Sequence, residues 1–122
     1  LGWFYDTLAA SPGAIDDETR RSYVEAYRGE ERMRAGFEYY RSREADVANA
    51  RRVGAGGISV PVLALGGAES WGRGAEPLEC LRFFASDVTG DVIADCGHFV
   101  PEERPEELAA HLRPFLRRCL PS

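Results

Sequence analysis

Lysine is absent from this 122-residue chain: all 15 of its cationic residues are arginine, they form no basic block, and the net charge is −5. That balance offers no electrostatic footprint for a phosphate backbone, so nucleic acid is not an expected partner. No window holds the 18 or more uninterrupted apolar residues of a membrane span, and no basic stretch followed by an apolar one suggests a signal peptide, so the expectation is a soluble protein with no membrane partner. Cysteine is sparse. Cys80, Cys96 and Cys119 are odd in number, widely spaced and without a C-x-x-C pair. This pattern fits reduced thiols in a cytoplasmic protein better than a disulfide framework or a zinc site. The sole methionine is Met33 and the chain begins at Leu1, so the sequence is expected to be a piece of a longer translation product.

What is present is enough for one modest core, with 44% hydrophobic residues, but leaves little room for two independent ones. From Leu1 to about Arg52 the pattern is helical, with charges interleaved among aromatics and no run of alternating β-branched residues. Ser11-Pro12 marks a turn, after which "DDETRRSYVEAYR" opens on acids and sets Tyr23 and Tyr27 on one face. A second helix is expected from about Met33 to Ala50, with Phe37, Tyr40 and Val47 near one face.

The segment "GAGG" at 54–57 reads as a flexible connector, and beyond it the periodicity changes. "ISVPVLALGG" is a continuous apolar run bounded by glycine, the pattern of a strand buried on both faces, with pairing expected to begin after Pro61. Pro77 to Asp87 reads as a helix with Leu78, Leu81 and Phe84 inward, and about Asp91 to Ala94 as a shorter strand. The last helix carries a stripe of Leu108, Leu112, Phe115, Leu116 and Cys119, with Pro105 in its first turn and Pro114 predicting a kink near Ala110. The order is helices and then a parallel β-α-β-α unit, an α/β arrangement whose two strands make an incomplete sheet.

The chemistry gathers at "DVIADCGHFVPEERPEEL", residues 91–108, where one of only two histidines follows a strand end. In open α/β sheets, functional groups collect beyond the carboxyl ends of the strands. An imidazole there can take a proton near neutral pH, and Gly97 lets the loop approach a neighbour closely. The bland reading is that His98 fills a polar niche.

"VPVLALGG" followed about thirty residues on by "DVIADCGHFVPEERPEELAAHLRPFL" resembles the C-terminal part of an α/β-hydrolase, in the branch of the epoxide hydrolases and the haloacid or haloalkane dehalogenases. Gly97, His98, Phe99, Glu102 or Glu103, and Pro105 supply the motif, and "MRAGFEYYRS" is similar to that branch's cap. The resemblance implies a helical cap segment at 1–52 followed by the C-terminal part of the core at 53–122. It implies His98 as the general base that activates water against an ester intermediate. Tyr40, just before Arg41, is implied as the hydrogen-bond donor to an epoxide oxygen, beside the plain reading of a core aromatic. Glu69, in "GGAE", is a substitute for the triad acid or else a solvated loop residue. No nucleophile elbow of the G-x-[SD]-x-G kind occurs in a strand-turn-helix setting.

The function expected is therefore that of part of a hydrolase acting on an epoxide, carbon–halogen or ester bond of a small molecule. No cofactor or metal is implied, and the isolated chain is expected to be inactive. Two alternatives stand beside it. One is a non-catalytic module that self-associates, or complements an N-terminal hydrolase segment, through its exposed sheet edge. The other, weaker, makes Cys96, His98 and Glu102 metal ligands.

Overall fold

The structure is a computed structural model that describes residues 1–54 and 57–120. The "GAGG" connector therefore lies partly outside the described residues. Four helices come first: α1 (Gly2–Leu8), α2 (Asp17–Ala26), α3 (Glu30–Arg41) and α4 (Arg43–Val53). The rest alternates as β1 (Val62–Gly67), α5 (Glu76–Phe84), β2 (Val88–Ile93), the single turn α6 (Val100–Glu103) and α7 (Pro105–Cys119).

α2 starts where it does because Asp16 caps it, its Oδ1 accepting from the Glu18 and Thr19 amides at 2.9 and 2.8 Å. The single helix expected over Met33–Ala50 is two helices, broken at Ser42. There the hydroxyl has two acceptors in reach of its one proton, the Tyr39 carbonyl at 2.9 Å and Asp46 Oδ2 at 2.8 Å. A serine hydroxyl offering local bonds of this kind competes with the helical ladder. Phe37, Tyr40 and Val47 are exposed rather than covered.

β1 begins immediately after Pro61 and pairs in parallel with β2 from Val62↔Val88 to Gly67↔Ile93, although an isolated parallel bridge, Ile58↔Ala85, already forms ahead of the proline. β2 starts three residues ahead of the expected strand, because the ladder carries its pairing back across Thr89 and Gly90. The Val62 amide donates to Asp87 O and the Ala68 amide to Ile93 O. Even-numbered residues of β1 thus face β2, which leaves the amides and carbonyls of Leu63 and Leu65 on the other side. At its carboxyl end that free side is closed by a loop: Gly67 donates to Gly72 O at 3.0 Å and accepts from the Gly74 amide at 2.8 Å.

α5 ends at Phe84, short of the expected Asp87, and α7 starts at Pro105 and runs on through Pro114 to Cys119. The buried apolar set is small and comes from both ends of the chain, with Leu8, Ala9 and Ile15 joining Ala64, Ala85, Ile93 and Cys96. The α7 stripe is incompletely covered, Leu112 and Leu116 being exposed.

Candidate active site

Beyond the carboxyl end of β2 the chain turns at Asp95, whose φ is +48°, and passes Cys96 and Gly97 to His98. Cys96 is fully buried, and burial pushes its thiol up, assisted by the charge of Glu103. Gly97 lies so close to the exit of α1 that a methyl group there would stand 2.6 Å from both Leu8 O and the Ala10 amide nitrogen. The close approach read into this glycine is therefore real. It lets the His98 amide donate to Leu8 O at 3.0 Å.

The His98 side chain points out to the exposed surface. Its Nδ1 lies 3.2 Å from the Trp71 carbonyl oxygen, on the loop after β1. A carbonyl only accepts, so this contact puts the ring proton on Nδ1 and leaves the Nε2 lone pair free, the tautomer a base needs. The ring meets Phe4 and Phe99 edge-on, at centroid distances of 6.4 and 5.1 Å.

Phe4 also belongs to a cavity of about 430 Å³ between the front helices, lined by Tyr5, Tyr27, Met33, Phe37 and Tyr40 among others. None of its lining side chains is charged. The Tyr5 phenol is raised above its ordinary range, chiefly by burial and then by Tyr27 and Glu102, so it stays a donor at neutral pH. Tyr40 lines this cavity while remaining 63% exposed. Phe4 is thus common to Tyr40 and His98, residues 58 positions apart in sequence.

Glu69 stands on the same loop as Trp71, and its amide donates to Cys96 O at 2.8 Å. Its exposed carboxylate makes no hydrogen bond or ion pair among the described residues. The three candidate metal ligands are parted. Cys96 Sγ is turned to the Gly97 carbonyl at 3.7 Å, His98 is exposed, and Glu102 Oε1 accepts from the Tyr23 hydroxyl at 2.7 Å. That last bond raises the Tyr23 phenol.

Two contributors were missed by sequence reasoning. The Trp71 carbonyl is backbone, and no residue type advertises it. Glu103 has its carboxylate buried against amides of the histidine loop, and the motif left it interchangeable with Glu102.

No family model matches the chain. Among curated proteins, the soluble epoxide hydrolase of Corynebacterium sp. (strain C12) is 27% identical over 96 residues, 79% of this chain and 32% of that protein. Among solved structures, Cfl2 from Burkholderia cenocepacia matches with a TM-score of 0.74 at 33% identity, over 93% of this chain and 38% of its own. Epoxide hydrolase CorEH matches with a TM-score of 0.80 at 27% identity, over 97% of this chain and 41% of its own. The chain spans about a third to two-fifths of the length of these relatives. Its fold is that of part of an α/β-hydrolase, and it resembles the epoxide hydrolase-like branch.

Proposed function

We propose that this chain is the histidine-bearing part of an epoxide hydrolase-like enzyme, with His98 its general base. The observation that carries the reading is the exposed imidazole at the carboxyl end of β2, with Nδ1 engaged by the Trp71 carbonyl and Nε2 free. In such an enzyme a nucleophile carried outside these 122 residues attacks the substrate carbon, forming an ester and breaking the carbon–oxygen or carbon–halogen bond. Tyr40 donates its phenolic hydrogen bond to the oxygen that leaves an epoxide carbon. His98 Nε2 then takes a proton from the water that attacks the ester carbonyl, releasing the alcohol or diol and restoring the nucleophile. Glu69, two positions before Trp71, could stabilise the imidazolium only through its charge, because Trp71 O already engages Nδ1; otherwise it is a solvated loop residue.

The substrate proposed is an uncharged, apolar small molecule, because the cavity that Tyr40 lines has no charged side chain to balance an ion. Division into a cap at 1–52 and a core at 53–122 belongs to the same reading, with α1 seated on the histidine loop.

The test belongs in an intact hydrolase carrying this segment. His98→Gln is expected to fold and to accumulate a covalent ester visible by mass spectrometry, because alkylation of the nucleophile needs no base and hydrolysis does. Tyr40→Phe is expected to slow alkylation by an epoxide and spare that by a halide, whose leaving group needs no proton. A His98→Gln protein that folds and traps nothing sinks the reading. The 122-residue chain alone is expected to show no turnover of epoxides or activated esters.

A second reading is favoured by the free side of β1, where the amides and carbonyls of Leu63 and Leu65 have no partner among the described residues. An open edge of this kind pairs with another chain, either a second copy or a complementing hydrolase segment. Sedimentation at micromolar concentration is then expected to give a mass above 13.5 kDa, and a stable monomer counts against it.

A further inference from the structure

We propose that Glu103 is the positioning residue for His98, and that its buried carboxylate, rather than the neighbouring Glu102, fixes where the imidazole emerges. The inference rests on the reading of His98 as a base. Glu103 is only 7% exposed, and its carboxylate has no cation against it among the described residues. The guanidinium of Arg104 turns instead to the Glu103 backbone carbonyl, at 2.9 Å, and to Asp95, at 3.9 Å.

A carboxylate removed from water without a counter-ion is tolerated only where other donors replace its hydration shell. Here all its donors are amides. Oε2 accepts from the Ala10 amide at 2.7 Å and the Gly97 amide at 2.9 Å, and Oε1 from the Phe99 amide at 2.9 Å. The amide between the last two, that of His98, is held by Leu8 O. Three successive amides, at 97, 98 and 99, are therefore fixed alternately to Glu103 and to the exit of α1, which Glu103 itself holds through Ala10.

With its backbone tied on both sides, His98 projects from a fixed Cα, and its ring lies between Trp71 O, Phe4 and Phe99. Glu102 cannot take this part. Its carboxylate is turned to Tyr23 on α2, and it makes no bond to the histidine loop among the described residues.

The experiment uses the 122-residue chain and needs no turnover. In Glu103→Gln one acceptor oxygen becomes an NH₂ that faces amide donors. Hydrogen exchange at Ala10, Gly97 and Phe99 is expected to speed up by roughly tenfold or more while Ala64 and Ile93 keep their protection. The His98 ring-proton shifts set by Phe4 and Phe99 are expected to move toward free-histidine values, and Glu102→Gln to leave both readouts unchanged. Unaltered exchange at the three amides, or an unmoved His98 ring, overturns the proposal.

If Glu103→Gln does not fold, the wild-type chain decides the matter. Its Ala10, Gly97 and Phe99 amides are expected to exchange about tenfold or more slowly than unbonded amides and at one shared rate, and fast or independent exchange at any of the three overturns the clamp. Failure of the clamp leaves the hydrolase reading intact, and failure to trap an ester in His98→Gln leaves the clamp intact.

Discussion

Replacing Gly97 by alanine tests the close approach beside His98 directly, because the added atom has nowhere to go. The new methyl group would stand 2.6 Å from Leu8 O, 2.6 Å from the Ala10 nitrogen and 2.9 Å from the Ala9 carbonyl carbon. Ordinary carbon contacts begin near about 3.5 Å, so the α1 exit must retreat by roughly 0.9 Å. It cannot retreat freely, since the His98 amide bonds Leu8 O and Glu103 joins Ala10 to Gly97.

Overpacking of this kind costs about 1–3 kcal/mol, and each bond to a charged group that is stretched forfeits part of about 1.5–3 kcal/mol. A destabilisation of about 2–4 kcal/mol is expected. With a urea slope near 2 kcal/mol per molar, the unfolding midpoint should fall by about 1–2 M. Far-UV circular dichroism would follow it. Gly13→Ala is the matched control: Gly13 has φ +79° but nothing within 4 Å of the added carbon, so it carries only the left-handed backbone penalty of about 1 kcal/mol. A Gly97→Ala chain no less stable than Gly13→Ala refutes the close-approach argument.

Two further outcomes follow from charge and burial. Cys80 and Cys119 are exposed and should react promptly with a thiol reagent, whereas Cys96, buried and with its thiol pushed up, should react only after unfolding; three equal rates would contradict the burial. Asp16 is held below its ordinary range chiefly by the Thr19 amide, then by the Thr19 hydroxyl and the Glu18 amide. Its folded value lies under its unfolded one, so its contribution is complete above the ordinary aspartate range near about 4 and lost as pH falls through the folded value. Helical carbon shifts of Thr19 to Val24 should therefore fade in acid and fade less in Asp16→Asn, and an identical acid profile would exclude the cap as the cause.

The parts of the fold legible in the sequence are those whose cause is local. Pro61 and the glycines at 66 and 67 bound β1, Pro105 starts α7, and a histidine beyond an apolar run marks the strand end. What escaped depends on residues far apart in the chain. The bond from the Ala10 amide to Glu103 spans 93 positions and that from Tyr23 to Glu102 spans 79, so nothing near either glutamate distinguishes the two. The break at Ser42 was missed for another reason. Its hydroxyl bonds are short-range, but serine is an ordinary helix residue unless a partner such as Asp46 stands four places on. His98 was found from its setting, yet its tautomer rests on a backbone carbonyl that sequence does not single out.

The neighbouring carboxylates of α6 grip the front of the chain at two separate points, Ala10 and Tyr23, with the exposed Ser11–Pro12–Gly13 turn between them. The stretch so enclosed is a closed handle with both ends riveted to the same four-residue turn. A protease that cuts the handle at its tip would leave each stub attached through its own rivet. The nicked protein should therefore migrate as one body under native conditions and separate into two pieces only in denaturant.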